Sequence, residues 1–530
     1  MMAFLSSYSL FSQSNLFAVD TVAQRQWVDS IYSNLSLEEK IGQLFMIDVF
    51  TSKSDTELES LESLIKFNHI GGVIFSKGNP YRQAQITNKI QTENKIPLLV
   101  GMDAEWGLAM RLDSTYAFPW NMTLGAIQDT SIVRKVGHQI GKHSKRLGVH
   151  INFAPVADIN TNPNNPIIGN RSFGETKDIV ISHSVALMRG MHEAGILSSA
   201  KHFPGHGDTE QDSHKTLPSI NFSEKRIRDI ELKPFQALID EGVSSVMVAH
   251  LNIPSLESQK NLPSSLSSKI VSDLLKGELG FNGLIITDAL NMKGVSNSSS
   301  PGEVDLEAFK AGSDILLIPE DVPKSIGIIK EAILKGEIAN KRLVASVKKI
   351  LYAKYKVGLH SFKPIETAQL TAELNSEEND AVYQEAIQNA TTVIKNDLGI
   401  LPINDIGQQT FAYVALGDTS GDQFFETMNQ YAKVDKIDIT KNKIDLSQFS
   451  DYDQIIIGFH KSDANPWADY KFSPFEIELI KSISQDYKTI LVNFTRPYSL
   501  LQLKNYINID AIVQAYQNSI IAQQVVGQQL

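Results

Sequence analysis

The chain has 530 residues, 42% hydrophobic and 21% charged, with a formal charge of −11 and no cysteine. Its length exceeds what one core usually organises and predicts two domains, and its apolar content is that of a globular protein, which excludes a disordered or fibrous chain. An acidic chain without a basic stripe argues against nucleic acid as partner, and the lack of cysteine excludes thiol nucleophiles, disulfides and thiolate metal sites.

Residues 1–20, MMAFLSSYSLFSQSNLFAVD, are apolar and serine-rich ahead of the first basic residue, Arg25. Two readings stand. The segment is the remnant of a secretory signal that has lost its basic start, placing the protein outside the cytoplasm, in the periplasm or at a membrane, or it is a frayed terminus. No apolar run reaches the ~18 residues of a spanning helix.

Ser36-Leu-Glu-Glu39 has capping-box spacing and predicts a helix running into KIGQLFM. Short apolar runs then alternate with amphipathic stretches: GGVIF (71–75), IPLLVG (96–101), HINFAPV (150–156), ILSSAKHF (196–203), SSVMVAH (244–250), LIITDA (284–289) and DILLIP (314–319). Alternation of this kind predicts parallel strands joined by crossovers. With an eighth strand unplaced, the leading expectation is a (β/α)8 barrel over 21–360, the alternative an open doubly wound sheet. The reactive residues favour the barrel. Asp103 and Glu105 follow IPLLVG, Asp158 follows NFAPV, Lys201 and His202 close ILSSA, His250 closes SSVMVA and Asp288 closes GLIIT. A barrel gathers such positions at its C-terminal rim.

The polar, proline-bearing HSFKPIETAQLTAELNSEEN predicts a linker, placed at 361–384. A second series, TTVIKN, FAYVALG, QIIIGFH, TILVNF and AIVQAY, predicts a smaller α/β sandwich over 385–530. The closing NSIIAQQVVGQQL is a helix with no strand after it, so the sandwich is expected to be incomplete.

The densest chemistry lies in KHFPGHGDTEQDSH, residues 201–214. His202 and His206 have the spacing of a helical metal pair, but Pro204-Gly205 between them breaks the helix that would align them, so no metal is expected. The glycines lack the third member of a phosphate-binding G-x-G-x-x-G. In Asp212-x-His214, however, a carboxylate can fix the imidazole tautomer and leave the other nitrogen to move a proton. Pro204, Gly205 and Gly207 predict a hinge that carries this pair. Asp288, at the end of an apolar strand, would be kept ionised by positive neighbours such as Lys201, Arg111 or Arg171 and could meet a developing carbocation. Its other reading is a helix cap.

These stretches, with ITDALNM (286–292), DAEWGLAMRL (103–112) and GNRSFGE (169–175), resemble glycoside hydrolase family 3 in its β-N-acetylglucosaminidase branch, over most of 35–360. The resemblance implies a retaining hydrolase that removes terminal β-linked N-acetylglucosamine from cell-wall or chitin-type saccharides without a cofactor. Asp288 would be the nucleophile, His214 the general acid and base, and Asp212 its orienting partner. Asp103, Arg111, Arg171, Lys201 and His202 would bind the sugar. Further domains beyond residue 530 belong to the same implication. Three alternatives stay open: a phosphorylase using the same residues, a β-glucosidase, and a saccharide-binding protein without catalysis.

Overall fold

A computed structural model describes residues 21–209, 216–439, 445–503 and 508–530. Eight strands form the first sheet: β1 Phe45–Phe50, β2 Gly72–Lys77, β3 Leu99–Met102, β4 Ile151–Asn152, β5 Leu197–Phe203, β6 Ser245–Val248, β7 Leu284–Thr287 and β8 Leu316–Leu317. Their order is β7-β6-β5-β4-β3-β2-β1-β8, every ladder is parallel, and the Ile286–Ile315 bridge joins the two ends. This is the expected (β/α)8 barrel. Its strands are buried on both faces, which is why they stand in the sequence as unbroken apolar runs.

The unplaced strand is β1, and it lies where the helix was expected to continue. The capping box at Ser36 and Glu39 forms, but the helix Leu37–Gly42 is short. A Cβ on Gly42 would stand 2.1 Å from the Asn68 carbonyl oxygen, so the chain turns there against the end of the next helix. FMIDVF then pairs with β2 and β8. An apolar run this short fits a helix face and a buried strand equally well, and only the neighbouring strands decide.

The second sheet has the order β11-β10-β12-β13-β14-β9. Its strands are β9 Thr392–Asn396, β10 Phe411–Gly417, β11 Val434–Lys436, β12 Gln454–His460, β13 Thr489–Phe494 and β14 Ala511–Gln514. All pair in parallel except β9, which runs antiparallel to β14 at the edge. The sequence pattern omits β11, a three-residue edge strand with no apolar run. The stretch expected as a linker holds the helix Leu370–Leu374 and the start of the helix Glu377–Ala390, so the expected boundary at 384 falls inside a helix.

That helix packs against both the barrel helix Thr130–Arg146 and the sandwich helix Ile520–Gln529. Lys135 pairs with Glu385 and Lys142 with Glu378 across the seam. Above it, the Trp120 amide and the Thr123 hydroxyl both donate to Gln517 Oε1, at 2.8 Å each. A cavity of about 790 Å3 lies in this seam, bounded by Trp106, Tyr116, Trp120, Tyr383 and Asp463 among others. No described helix is long and apolar enough to cross a membrane.

Candidate active site

Lys201 lies at the C-terminal end of β5 with 2% of its side chain exposed. A buried ammonium must be paired. Its Nζ donates to Asp103 Oδ1 and Glu105 Oε1, both at 2.7 Å, bringing in the residues that follow β3. Arg111 Nη2 reaches the other Asp103 oxygen at 2.5 Å. Arg171, from the segment after β4, grips Glu105 with two nitrogens, Nη2 to Oε1 at 2.7 Å and Nε to Oε2 at 3.0 Å. Cations and carboxylates thus alternate across the rim, and each charge lies against an opposite one.

The network fixes protonation. Burial alone would raise Asp103 and Glu105, but Lys201 and Arg111 hold Asp103 well below the usual carboxylate range. Arg171 and Lys201 likewise bring Glu105 down to about 2. Burial acts against the Arg171 charge, and Glu105, Asp103 and Asp158 more than restore it. Exposure then divides the group. Asp103 keeps 18% and Arg111 30% of their side chains open, whereas Glu105 is 1% exposed. Asp103 and Arg111 can present polar atoms to a ligand; Glu105 can only hold Lys201 and Arg171 in place.

The network continues through His202. Arg171 Nη2 lies 3.3 Å from His202 Nε2, and a guanidinium only donates, so Nε2 accepts and the ring proton sits on Nδ1. Nδ1–H donates to Asp158 Oδ2 at 2.7 Å. The other Asp158 oxygen takes the amides of His202 and His206, at 3.2 and 2.7 Å. Burial would push Asp158 up, but His202 and the His206 amide hold it below its ordinary value. Burial pushes His206 down to about 4, so it is neutral near pH 7, and its Nδ1 shares a 2.7 Å hydrogen bond with the Thr209 hydroxyl.

Asp288 follows β7. Its amide donates to Val248 O, and its Oδ1 accepts from the Ala289 amide at 2.8 Å. His250 Nε2 lies 3.0 Å from the Ala289 carbonyl, which only accepts, so Nε2 carries the proton and Nδ1 takes the Ser265 hydroxyl at 2.7 Å. His250 therefore braces the peptide that presents Asp288. The Asp288 charge acts on His206, which places the two in the same neighbourhood. The cations expected beside Asp288 are engaged by Asp103 and Glu105.

Asp212 and His214 lie outside the described residues. Their N-terminal flank, which includes the expected hinge residues, is described. Gly207 is buried, and a Cβ there would fall 1.8 Å from the Ile159 carbonyl oxygen. The Asn165 amide donates to His206 O at 3.0 Å, and the Thr161 hydroxyl to Asp208 Oδ1 at 2.8 Å. Gly207 thus permits close packing, and residues up to Thr209 are held by hydrogen bonds. A cleft of about 550 Å3 lined by Thr161, Asn162, Asp208 and Ser219 opens beside this flank.

The structure brings Asp103, Arg111, Arg171, Lys201 and His202 into one network. Glu105 and Asp158 were visible in the sequence only as strand-end acids, and His206 only as a rejected metal ligand. Their partners lie 44 to 96 positions away for Glu105 with Arg171 and Lys201 and for Asp158 with His202, beyond the reach of any local pattern.

The family model described as "Glycosyl hydrolase family 3 N terminal domain" matches residues 36–353. Beta-hexosaminidase A of Pseudoalteromonas piscicida is 33% identical over 380 residues, 66% of this chain and 63% of its own. The chain thus spans somewhat under two thirds of that relative. A Cellulomonas fimi protein named beta-N-acetylglucosaminidase/beta-glucosidase is 30% identical over 386 residues, covering 71% of this chain and 68% of its own. Among solved structures, a family 3 beta-N-acetylglucosaminidase from Paenibacillus sp. superposes with a TM-score of 0.75 at 27% identity, over 93% of this chain and 96% of that one. With a parallel eight-stranded barrel, an α/β sandwich behind it and a family match covering most of the barrel, this chain belongs to glycosyl hydrolase family 3.

Proposed function

We propose that the protein is a retaining exo-β-N-acetylglucosaminidase, acting on terminal β-linked N-acetylglucosamine of cell-wall or chitin-type saccharides. The observation that carries this is the charge network at the barrel rim, which leaves Asp103 and Arg111 partly exposed and fixes Lys201, Arg171 and His202 behind them. Such charged donors and acceptors make strong hydrogen bonds to sugar hydroxyls and to an acetamido oxygen. The names of the Pseudoalteromonas, Cellulomonas and Paenibacillus relatives support the glycone.

In this proposal Asp288 attacks the anomeric carbon while His214 protonates the leaving oxygen, with Asp212 fixing the His214 tautomer. A covalent glycosyl-enzyme forms; His214, now a base, takes a proton from water, which displaces Asp288 with net retention. The domain organisation proposed with it is a catalytic barrel over 21–360, a connection that becomes helical from 370, and a sandwich that follows to 530.

An aryl β-N-acetylglucosaminide assay tests the proposal. Asp288→Asn is expected to lower kcat on the order of 10⁴-fold. His214→Gln is expected to lower it about 10²- to 10⁴-fold, and less for an activated leaving group that needs no proton. Proton NMR should show the β-anomer as first product. Unchanged turnover in Asp288→Asn would overturn the nucleophile assignment. The Cellulomonas relative carries both activities in its name, so the matched aryl β-glucoside belongs in the same assay. A preference for it would overturn the glycone, and sugar 1-phosphate formed in phosphate buffer would overturn hydrolysis.

A further inference from the structure

We propose that the cavity in the seam between barrel and sandwich binds a methylated ammonium group, with Asp463 as its counter-charge and aromatic rings as its walls; the inference goes beyond the proposed reaction and does not depend on it. The cavity holds about 790 Å3, within the range of small-molecule sites, and none of the charged residues of the rim network lines it. It exists only where three elements meet. Trp106, Tyr116 and Trp120 come from the segment after β3, Asp380 and Tyr383 from the helix Glu377–Ala390, and Asp463 from the loop after β12.

The walls are aromatic. Trp106 meets Trp120 with ring centres 6.5 Å apart and planes at 69°, and Tyr116 meets Tyr383 at 6.3 Å and 73°. Edge-to-face pairs of this kind form corners, so rings bound the cavity on more than one side. The face of an aromatic ring carries negative charge density and attracts a cation. A metal ion needs several oxygen or nitrogen ligands around it, and no group of His, Asp and Glu among the described residues supplies them. A bare ammonium asks for several hydrogen-bond acceptors, whereas a methylated one is weakly hydrated and packs its methyl groups on ring faces.

The charge in the cavity has one sign. Asp380 and Asp463 line it, and among the described residues no lysine, arginine or histidine does. Asp380 Oδ1 accepts the Tyr116 hydroxyl at 2.7 Å, which fixes that ring. Each carboxylate of the Asp103–Glu105 network lies against a cation, but Asp463 has none among the described residues. Burial raises the Asp463 pKa, and only backbone hydrogen bonding opposes this. The Asp463 charge acts on Tyr383, which places the carboxylate beside one of the rings. A carboxylate withdrawn from water is stabilised by a nearby cation, and here the fold provides rings around it and no cation. A methylated ammonium supplies the missing charge and fits the walls.

Choline and its uncharged isostere 3,3-dimethylbutan-1-ol, alike in shape and different in charge, test this by isothermal titration of the full chain at pH 7 and fixed sodium chloride. Neither probe carries a pyranose, so the outcome is read independently of the sugar site and of the proposed reaction. Wild type is expected to bind choline about tenfold more tightly than the alcohol. Asp463→Asn is expected to raise the choline Kd about tenfold and to leave that of the alcohol unchanged. Equal affinity of the wild type for the two probes, or binding of neither, overturns the proposal. Choline binding that Asp463→Asn leaves unchanged also overturns it, because the cation is then held elsewhere. The wild-type comparison needs no variant, so it decides the matter even where Asp463→Asn fails to fold.

Discussion

Glu105 shows how much of this site is support. It is 1% exposed and reaches no cleft, yet it neutralises Arg171 and shares Lys201 with Asp103. Removing one partner of a buried ion pair leaves the other charge uncompensated, so Glu105→Gln is expected to destabilise by about 3–5 kcal/mol. Urea denaturation at pH 7 measures this. The acid limb gives a second readout. The Glu105 carboxyl titrates near 2 in the fold against an ordinary 4.5, so its contribution is complete above about pH 4.5 and is lost as pH falls toward 2. Between about pH 5 and 3 the Glu105→Gln midpoint should therefore fall less than that of the wild type. Asp103, Lys201 and His202 could be found in the sequence because they close apolar strands. Asp158 closes one as well, but its role depends on the His202 ring and the His206 amide, a pairing made by the fold.

At the scale of elements, two glycines give opposite expectations. Gly207 packs on the Ile159 backbone, where a Cβ would be 1.8 Å from oxygen. Gly207→Ala should destabilise by about 1–3 kcal/mol or more and displace the flank that leads to Asp212 and His214. Its effect on kcat should accordingly exceed what the loss of folded protein explains. Gly327 is exposed within the helix Val322–Leu334, and nothing lies within 4 Å of a Cβ built there. Gly327→Ala should stabilise by about 0.5–1 kcal/mol through helix propensity alone, read as a rise in Tm. Both are simply glycines in the sequence, and only the neighbouring backbone separates them. The same holds for FMIDVF, whose apolar run became β1 because it pairs with β2 on one side and β8 on the other.

For the whole molecule, the second unit reaches the site through the segment between β4 and the helix Lys177–Ala194. Tyr498 accepts from Asn160 Nδ2 at 2.8 Å, and Asn160 Oδ1 accepts the Gly169 amide at 3.1 Å, two residues from Arg171. Tyr498→Phe would leave the buried Asn160 amide without this acceptor, at about 1–3 kcal/mol. Calorimetry should show the loss as a lower Tm, and a rise in KM larger than any fall in kcat would show that sugar binding, more than chemistry, depends on the seam.

The amino-acid sequence by itself determined the alternation of strands and crossovers, the strand-end placement of Asp103, Lys201, His202 and Asp288, and the existence of a second α/β unit. Those features follow from burial periodicity and from turn chemistry, which are local. The tertiary structure alone decided which carboxylate meets which cation, that Gly207 packs tightly, and that Asp463 of the second unit lines one cavity with Trp106 of the first. These depend on through-space neighbours separated by tens to hundreds of residues, and no local pattern of side chains encodes such distances.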